Sequence, residues 1–491
     1  MKFRPESLVW SGFKGLAYSA FGALLVLVIG LIVYMNNRAD LNVWHLADLD
    51  EEFTVDSEVE TFEEYLSLED RLFKQLDELV YAKIAPEQRY AINRYNRGSL
   101  TDPEGLSPNW NRSFVLPKDD PKAAVLLLHG MSDSPYSLRN LGQRLNAAGA
   151  YVLGLRVPGH GTAPSGLVEV TWQDMAAAVR LAMRHLAEHS NGKPLYVIGY
   201  SNGGALAVHY TLSTLDDETL PKVDRVVLLS PEIGVTPAAA FAVWQARLGH
   251  LLGLEKLAWN DILPEYEAFK YGSFAVNAGD VVYLITGEIQ KRLNALGRDG
   301  MLKNMPPILA FTSVIDATVS TPALVNNLFN RLPAGGHELV LFDVNRIQAL
   351  KPLMKWDPVK VVQALQADPG RTFTLSVVTN ENSNSRKVIV RSRRPGDKKL
   401  TDTSLGLSWP DDIYSLSHVA LPFSADDPLY GGHPPEKSPG LHLGELALRG
   451  ERGALQISAS SMLRLRWNPF YPYMEERVIK FLDLDSTSSV Q

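Results

Sequence analysis

The sequence of 491 residues contains no cysteine. Disulfide bonds, thiolate catalysis and metal sites built on cysteine are therefore excluded. Its 55 acidic residues outnumber its 48 lysines and arginines, which gives a formal net charge of −7. Because this balance lacks the basic excess typical of nucleic-acid-binding proteins, we expect no nucleic-acid partner. None of the glycine patterns indicates a phosphate-binding loop, and we expect neither a metal ion nor an organic cofactor.

The most informative segment is a short apolar run that ends in the Gly-x-Ser-x-Gly motif Gly199–Gly203 and continues into a helix-like segment. A strand that runs straight into a helix turns sharply at the serine, and only glycine fits two residues away on either side. Such a turn presents the hydroxyl of Ser201 as a candidate nucleophile. It also puts the backbone amide of Asn202 at a helix N-terminus, where it can stabilise a developing oxyanion.

Candidate partners for this serine follow downstream, since a serine needs a histidine to take its proton. Asp316 comes just after the strand-like segment 307–313, at the kind of strand end where α/β sheets place their chemistry. His418 follows in a loop-like segment with apolar neighbours. Two competing histidines are less suited, because His433 lies among glycines and prolines and His442 lies in a Leu-x-Leu alternation. We therefore predict a catalytic triad of the serine, Asp316 and His418, in the order Ser, acid, His.

Two further motifs lie upstream of the serine. One strand-like segment ends in His129-Gly130, and the next ends in Pro158-Gly-His-Gly161. With the serine motif and the two downstream loops, these motifs resemble the α/β-hydrolase superfamily, and within it the monoacylglycerol lipases and carboxylesterase-like enzymes, over about residues 120–425. The resemblance implies a mostly parallel sheet flanked by helices, serine-ester chemistry, and a second oxyanion donor, the amide of Met131. We expect His129 and His160 to hold loops near the site.

The N-terminal region contains a run of 21 residues without charge, residues 15–35. As a helix it is long enough to cross a hydrocarbon core of about 30 Å. A cleaved signal peptide is the main alternative, but its apolar region is normally ~7–15 residues long and ends in small residues, whereas this run ends in Tyr34 and Met35. Lys2, Arg4 and Lys14 precede it, so we expect a single-pass anchor with a cytoplasmic N-terminus. The catalytic domain is then expected on the periplasmic or extracellular side, as in a protein of the bacterial inner membrane.

We divide the chain into three parts. These are a cytoplasmic tip and transmembrane anchor over residues 1–40, a connector over 41–117 and an α/β-hydrolase domain over 118–491. In the connector, Ser57 and Glu60 match a capping box ahead of an amphipathic helix.

Two insertions are expected within the hydrolase domain. The first covers about residues 231–304, and the resemblance implies that it forms a cap over the serine. Its apolar side chains, which would suit an acyl chain or simply pack in a core, are Phe241, Trp244, Leu248, Leu251, Leu252, Leu254 and Trp259. The second covers about residues 346–412 and contains a predicted hairpin, with strands over 372–378 and 387–390.

These features together predict a membrane-anchored serine hydrolase that cleaves carboxylic esters, with a small-molecule or lipid-like substrate. A serine aminopeptidase or an acyltransferase uses the same constellation of residues, so both alternatives stay open. A catalytically silent ligand-binding protein on the same fold is a third alternative, and a broken triad would be its signature.

Overall fold

The computed structural model has a 10-stranded sheet at its centre. The structure describes residues 5–234, 255–347, 357–433, 441–444, 446 and 457–485. The strands are β1 Phe114–Leu116, β2 Ala123–Leu128, β3 Ala150–Leu155, β4 Leu195–Tyr200, β5 Arg225–Leu229, β6 Trp259–Asp261, β7 Phe274–Ala275, β8 Ile308–Ser313, β9 Glu338–Phe342, β10 Thr374–Asn380, β11 Lys387–Arg393 and β12 Thr401–Ser408. The helices are α1 Pro5–Asn36, α2 Val43–Leu46, α3 Phe62–Leu79, α4 Arg139–Ala147, α5 Gly166–Glu169, α6 Trp172–His189, α7 Asn202–Ser213, α8 Val276–Arg298, α9 Thr321–Asn327, α10 Pro358–Ala367, α11 Ala459–Met462 and α12 Tyr471–Phe481.

The sheet is mostly parallel. Its strand order is β1-β3-β2-β4-β5-β8-β9-β10-β11-β12. The neighbours from β3 to β10 pair in parallel, whereas β1, β11 and β12 pair antiparallel. The chain winds outward in opposite directions from β2, to β3 on one side and to β4 on the other, and such a switch point is where α/β sheets bind their ligands. The predicted α/β-hydrolase fold is confirmed.

The core lies on both faces of this sheet. All six residues of β2 are buried, and they alternate between two apolar clusters, with Ala124, Leu126 and Leu128 in one and the intervening residues in the other. This alternation follows from the period of two in a strand. Helices α6, α7 and α8 cover the first face, and α4 and α12 cover the second. Each fully buried leucine contributes roughly 1.5–3 kcal/mol to stability, so the central strands are held rigidly beneath the site.

The connector helix α3 begins one turn later than the sequence predicted. Its capping box is formed by Thr61, whose hydroxyl accepts from the amide of Glu64, while the Glu64 carboxylate accepts from the amide of Thr61. The predicted capping box at Ser57 and Glu60 is wrong. The hydroxyl of Ser57 instead accepts from the amide of Thr54 at 2.9 Å, within a turn that precedes the helix.

A buried ionic cluster ties the connector to the sheet. The guanidinium of Arg156, just after β3, lies 2.9 Å from Glu52 Oε1 and 3.0 Å from Glu69 Oε2. The same Glu52 carboxylate accepts from the amide of Gly159 at 2.9 Å. Charged side chains can be buried in this way only because each is paired with an opposite charge. Through these contacts the connector holds the loop after β3 in place.

The second predicted insertion adds strands to the main sheet. The predicted hairpin is present as β10 and β11, and β10 pairs in parallel with β9. The sequence did not predict β12, which pairs antiparallel with β11 and carries mostly exposed residues. In the first predicted insertion, Trp259 is buried in β6. The other apolar side chains named for that insertion, Phe241, Trp244, Leu248, Leu251, Leu252 and Leu254, lie outside the described residues.

The N-terminal helix α1 contains a segment that is long and apolar enough to cross a membrane. This segment, Tyr18–Asn36, has 19 residues and a mean hydropathy of 2.3, and none of it is buried against the rest of the chain. A signal sequence at the N-terminus meets the same criterion of length and composition.

Candidate active site

Ser201 lies in the sharp turn between β4 and α7. Its backbone has φ 55° and ψ −118°, in a region that non-glycine residues rarely adopt. The two flanking glycines of the motif are required by close backbone approach. A Cβ at Gly203 would lie 2.1 Å from the carbonyl oxygen of Leu128, and a Cβ at Gly199 would lie 2.3 Å from the carbonyl oxygen of Gly203. The turn therefore holds the serine at the carboxyl edge of the sheet.

The structure brings the three side chains of the predicted triad together. His418 Nε2 lies 3.1 Å from Ser201 Oγ, and His418 Nδ1 lies 2.9 Å from Asp316 Oδ2. Both distances are within hydrogen-bonding range. All three side chains are buried or nearly so. In this arrangement the imidazole can accept the serine proton on Nε2 while Nδ1–H donates to the carboxylate.

Asp316 is held as a carboxylate by three donors. Besides His418, the backbone amides of Thr318 and Val319 donate to its Oδ1, at 2.8 and 3.0 Å. Burial acts to raise the pKa of Asp316, but the hydrogen bond and charge of His418 and the two amides outweigh it, so the pKa lies below its ordinary value. A carboxylate that stays ionised can orient the imidazole throughout the neutral pH range.

His418 begins a short 3₁₀ turn that is fixed by apolar packing. Its ring lies 5.3 Å from the ring of Tyr200, the residue before the nucleophile, and the following Leu421 and Phe423 are buried. The competing histidines have other surroundings. His433 is exposed, with its ring 5.8 Å from that of Trp467, and His442 is partly buried.

The loop after β2 lies directly against the serine. A Cβ at Gly130 would lie 3.0 Å from Ser201 Cβ. The amide of Met131 belongs to the residue directly after Gly130, so this part of the loop backbone lies beside the nucleophile. Asn202 is the first residue of α7, where backbone amides lack carbonyl partners within the helix. Its side-chain nitrogen lies 3.6 Å from the sulfur of Met175. The two predicted oxyanion residues thus border the serine from two different elements.

The two loop histidines near the site are neutral. His129 Nδ1 donates to the carbonyl oxygen of Gly130 at 2.9 Å, and its Nε2 accepts from the amide of Val157 at 3.0 Å. Burial lowers the pKa of His129 well below its ordinary value. His160 donates from Nδ1 to the carbonyl oxygen of Pro158, and burial lowers its pKa to about 4. As expected from the sequence, both rings hold loops together.

Sequence reasoning missed one acidic residue near the nucleophile. The amide of Glu232, just beyond β5, donates to the carbonyl oxygen of Ser201 at 3.0 Å. Burial, and then the negative charge of Asp316, raise the pKa of the Glu232 carboxyl to about 7. The only sequence signal was its position at the end of a buried strand.

Helix α6 carries a His-x-x-x-His pair, His185 and His189, which the expectation of no metal site did not take into account. Their rings stack at 4.1 Å. Both nitrogens of His185 have protein neighbours, with Nδ1 3.0 Å from Glu63 Oε1 and Nε2 3.1 Å from the Tyr151 hydroxyl. Across the part of the chain that the structure describes, no group of three or more His, Asp or Glu side chains is arranged to hold a metal ion.

Comparisons with known proteins agree with this fold. Residues 119–320, less than half of the chain, match the family model described as "Serine aminopeptidase, S33". A thermostable monoacylglycerol lipase from Bacillus sp. (strain H-257) is 28% identical over 116 residues, which are 24% of this chain and 43% of the lipase. The match thus spans less than half the length of that relative.

Among solved structures, one of two metagenome-derived lipolytic enzymes is 20% identical, with 53% of this chain and 98% of that chain covered and a TM-score of 0.37. A monoacylglycerol lipase of Paleococcus ferrophilus is 19% identical, with 47% and 88% covered and a TM-score of 0.36. These superpositions are weak, so the fold assignment rests on the strand order and on the family model. The chain contains an α/β-hydrolase domain, and in sequence it resembles the monoacylglycerol lipases.

Proposed function

We propose that this protein is a membrane-anchored serine hydrolase that cleaves carboxylic esters. The observation that carries the proposal is the continuous hydrogen-bond chain from Ser201 Oγ through His418 to Asp316, with distances of 3.1 and 2.9 Å. A nucleophile, a base in contact with it and a carboxylate that orients the base are the parts that acyl transfer requires. The resemblance to a monoacylglycerol lipase supports an ester or lipid-like substrate.

The proposed reaction proceeds in two halves. Ser201 Oγ attacks the ester carbonyl as His418 Nε2 takes its proton, and the backbone amides of Met131 and Asn202 hold the oxyanion of the tetrahedral intermediate. The imidazolium then gives that proton to the leaving alcohol, and an acyl-enzyme remains. A water molecule, deprotonated by the same imidazole, attacks the acyl-enzyme, and the imidazolium returns this proton to Ser201 Oγ as the acid leaves. Asp316 keeps the imidazole in the tautomer that has Nε2 free to accept.

A serine aminopeptidase is the second candidate, because the family model that matches residues 119–320 carries that description. The same triad attacks an amide as well as an ester, and the leaving group alone distinguishes the two activities. A catalytically silent binding protein is disfavoured by the unbroken hydrogen-bond chain.

A fluorophosphonate probe tests the nucleophile. It should label the wild-type protein, and Ser201→Ala should abolish both labelling and ester turnover. Ser213→Ala is the matched control, because Ser213 is also buried and lies on α7, away from the hydrogen-bonded triad. Labelling that persists in Ser201→Ala refutes the assignment, and a folded wild-type protein that is never labelled favours the silent binding protein.

We also propose that α1 anchors the chain in a membrane, with the N-terminus in the cytoplasm and the catalytic domain on the periplasmic or extracellular side. The proposal is supported by the apolar segment Tyr18–Asn36 and by the basic residues before it. Full-length protein should resist carbonate extraction from membranes, while a chain lacking residues 1–39 should be soluble and still hydrolyse a small activated ester. A mature protein whose first residue lies beyond Met35 would instead identify the segment as a cleaved signal.

A further inference from the structure

The segment just after α1 is bound to the chain between β5 and β8. The guanidinium of Arg38 donates to the carbonyl oxygens of Lys256 and Asn260, both at 2.9 Å. In return, Lys256 Nζ lies 2.7 Å from Asp40 Oδ1 and 3.3 Å from the carbonyl oxygen of Arg38. We call these four residues the juxtamembrane latch.

Behind the latch the contact continues into buried side chains. His45 Nε2 lies 2.9 Å from the hydroxyl of Ser273, and its ring meets that of Trp259 edge-on at 4.8 Å. Exposed ion pairs alone contribute little, but here they border a buried aromatic contact. The contact between the segment after α1 and the chain around residues 256–273 therefore includes buried side chains as well as the latch. Two leucines close to these residues in the sequence, Leu46 and Leu263, are exposed.

The latch lies very near the end of the apolar helix segment. The 19 residues of Tyr18–Asn36 span about 28 Å as a helix, close to the thickness of a hydrocarbon core of roughly 30 Å. Arg38 is two residues further along, so its Cα is at most about 7 Å from that of Asn36. The headgroup layer of each leaflet is about 5–8 Å thick. If α1 spans a bilayer, the latch lies at the headgroups.

The latched segment also leads directly to the candidate active site. After β6 the chain reaches Tyr271, whose amide donates to the carbonyl oxygen of Ser132 at 2.8 Å. Its hydroxyl accepts from the amide of Thr162, also at 2.8 Å. Ser132 belongs to the loop that follows β2 beside Ser201. The side of the domain that the latch holds is thus the carboxyl edge of the sheet.

We propose that the juxtamembrane latch docks the catalytic domain on the phospholipid bilayer, with the exposed and partly exposed residues 260–264 against the headgroups, so that Ser201 receives acyl esters dissolved in that bilayer. The partner surface is the lipid headgroup layer of the membrane that α1 crosses. This inference rests on the proposed anchoring and ester chemistry, and it adds the orientation of the domain and the route of the substrate.

The cysteine-free sequence allows a direct measurement of orientation. Single cysteines are introduced by Leu263→Cys beside the latch or by Asp397→Cys in the turn between β11 and β12. That turn lies at the opposite edge of the sheet, because β11 runs antiparallel to β10. Each full-length variant is labelled with a donor fluorophore and placed in nanodiscs whose lipid headgroups carry an acceptor. We expect strong energy transfer from position 263 and weak transfer from position 397. Equal transfer from both overturns the proposal.

A double variant, Arg38→Ala with Lys256→Ala, removes the latch. It should lose the difference in energy transfer between the two positions, and it should raise KM for a long-acyl ester dissolved in the bilayer while kinetics on a water-soluble short-acyl ester stay unchanged. Lys74→Ala, which removes an exposed lysine on α3, is the control and should change neither. An unchanged orientation and KM in the double variant overturn the role of the latch. If no ester is cleaved but the wild-type energy-transfer difference is present, the proposed function fails and the orientation stands.

Discussion

Replacing Asp316 by asparagine separates the geometry of the site from its chemistry. Two backbone amides, those of Thr318 and Val319, donate to Oδ1 of Asp316, and His418 Nδ1 lies against Oδ2. An asparagine in this position must present its carbonyl oxygen to the two amides, because its NH₂ group cannot accept a hydrogen bond. Its NH₂ group then faces Nδ1, which becomes an acceptor, and the imidazole proton moves to Nε2.

An imidazole with its proton on Nε2 cannot take the proton of Ser201. We expect Asp316→Asn to lower kcat by about 10⁴-fold, equivalent to ~5 kcal/mol of transition-state stabilisation, while the fold is retained. The assay is hydrolysis of an activated ester at neutral pH, with circular dichroism to verify folding. The reasoning is refuted if folded Asp316→Asn keeps more than about a tenth of the wild-type kcat, since the tautomer argument allows no such activity.

Three further substitutions test other parts of the structure. His418→Ala should lower kcat by at least about 10³-fold, whereas His433→Ala should stay within about tenfold of wild type on the same ester; a reversed pattern would show that the wrong base was assigned. Arg156→Met leaves the buried Glu69 carboxylate and the partly buried Glu52 carboxylate without their cation, and it should lower the free energy of unfolding in urea by about 3–5 kcal/mol, against less than about 1 kcal/mol for the more exposed Arg292→Met. Burial lowers the pKa of His337 to about 4. As the pH drops from about 6.5 to 4, this histidine is protonated in the unfolded chain before it is protonated in the folded protein, so the free energy of unfolding should fall. His337→Asn should reduce the slope of that fall by up to about 1.4 kcal/mol per pH unit, and an unchanged slope would contradict the lowered pKa.

The site could be anticipated from sequence because its signals are local. The glycines of the serine motif are dictated by contacts with residues close in sequence or on the neighbouring strand, such as the 2.1 Å approach at Gly203. Asp316 was recognisable because it follows a buried strand, and His418 because apolar residues surround it. In each case, a few adjacent residues carried enough information to single out the functional group.

Other features depend on contacts between residues far apart in the sequence. The ionic cluster joins Arg156 to Glu52 across roughly a hundred residues, and no local pattern marks that pairing. Strand β12 has a polar, mostly exposed sequence, and only its neighbour β11 makes it a strand. Ahead of α3, two pairs of residues match a capping box with the same spacing, Ser57 with Glu60 and Thr61 with Glu64. The helix begins after Thr61 because the hydroxyl of Ser57 is bound within a turn to the amide of Thr54.

Hydrolysis of a matched ester and amide by the purified full-length protein tests the central claim most directly. The two substrates share one acyl group, with p-nitrophenol or p-nitroaniline as the leaving group, and both are assayed with wild type and Ser201→Ala. We expect wild type to cleave the ester much faster than the amide, and Ser201→Ala to cleave neither above background. Ester cleavage that survives in Ser201→Ala, or an amide cleaved faster than the ester by wild type, would contradict the account of Ser201 as the nucleophile of an esterase.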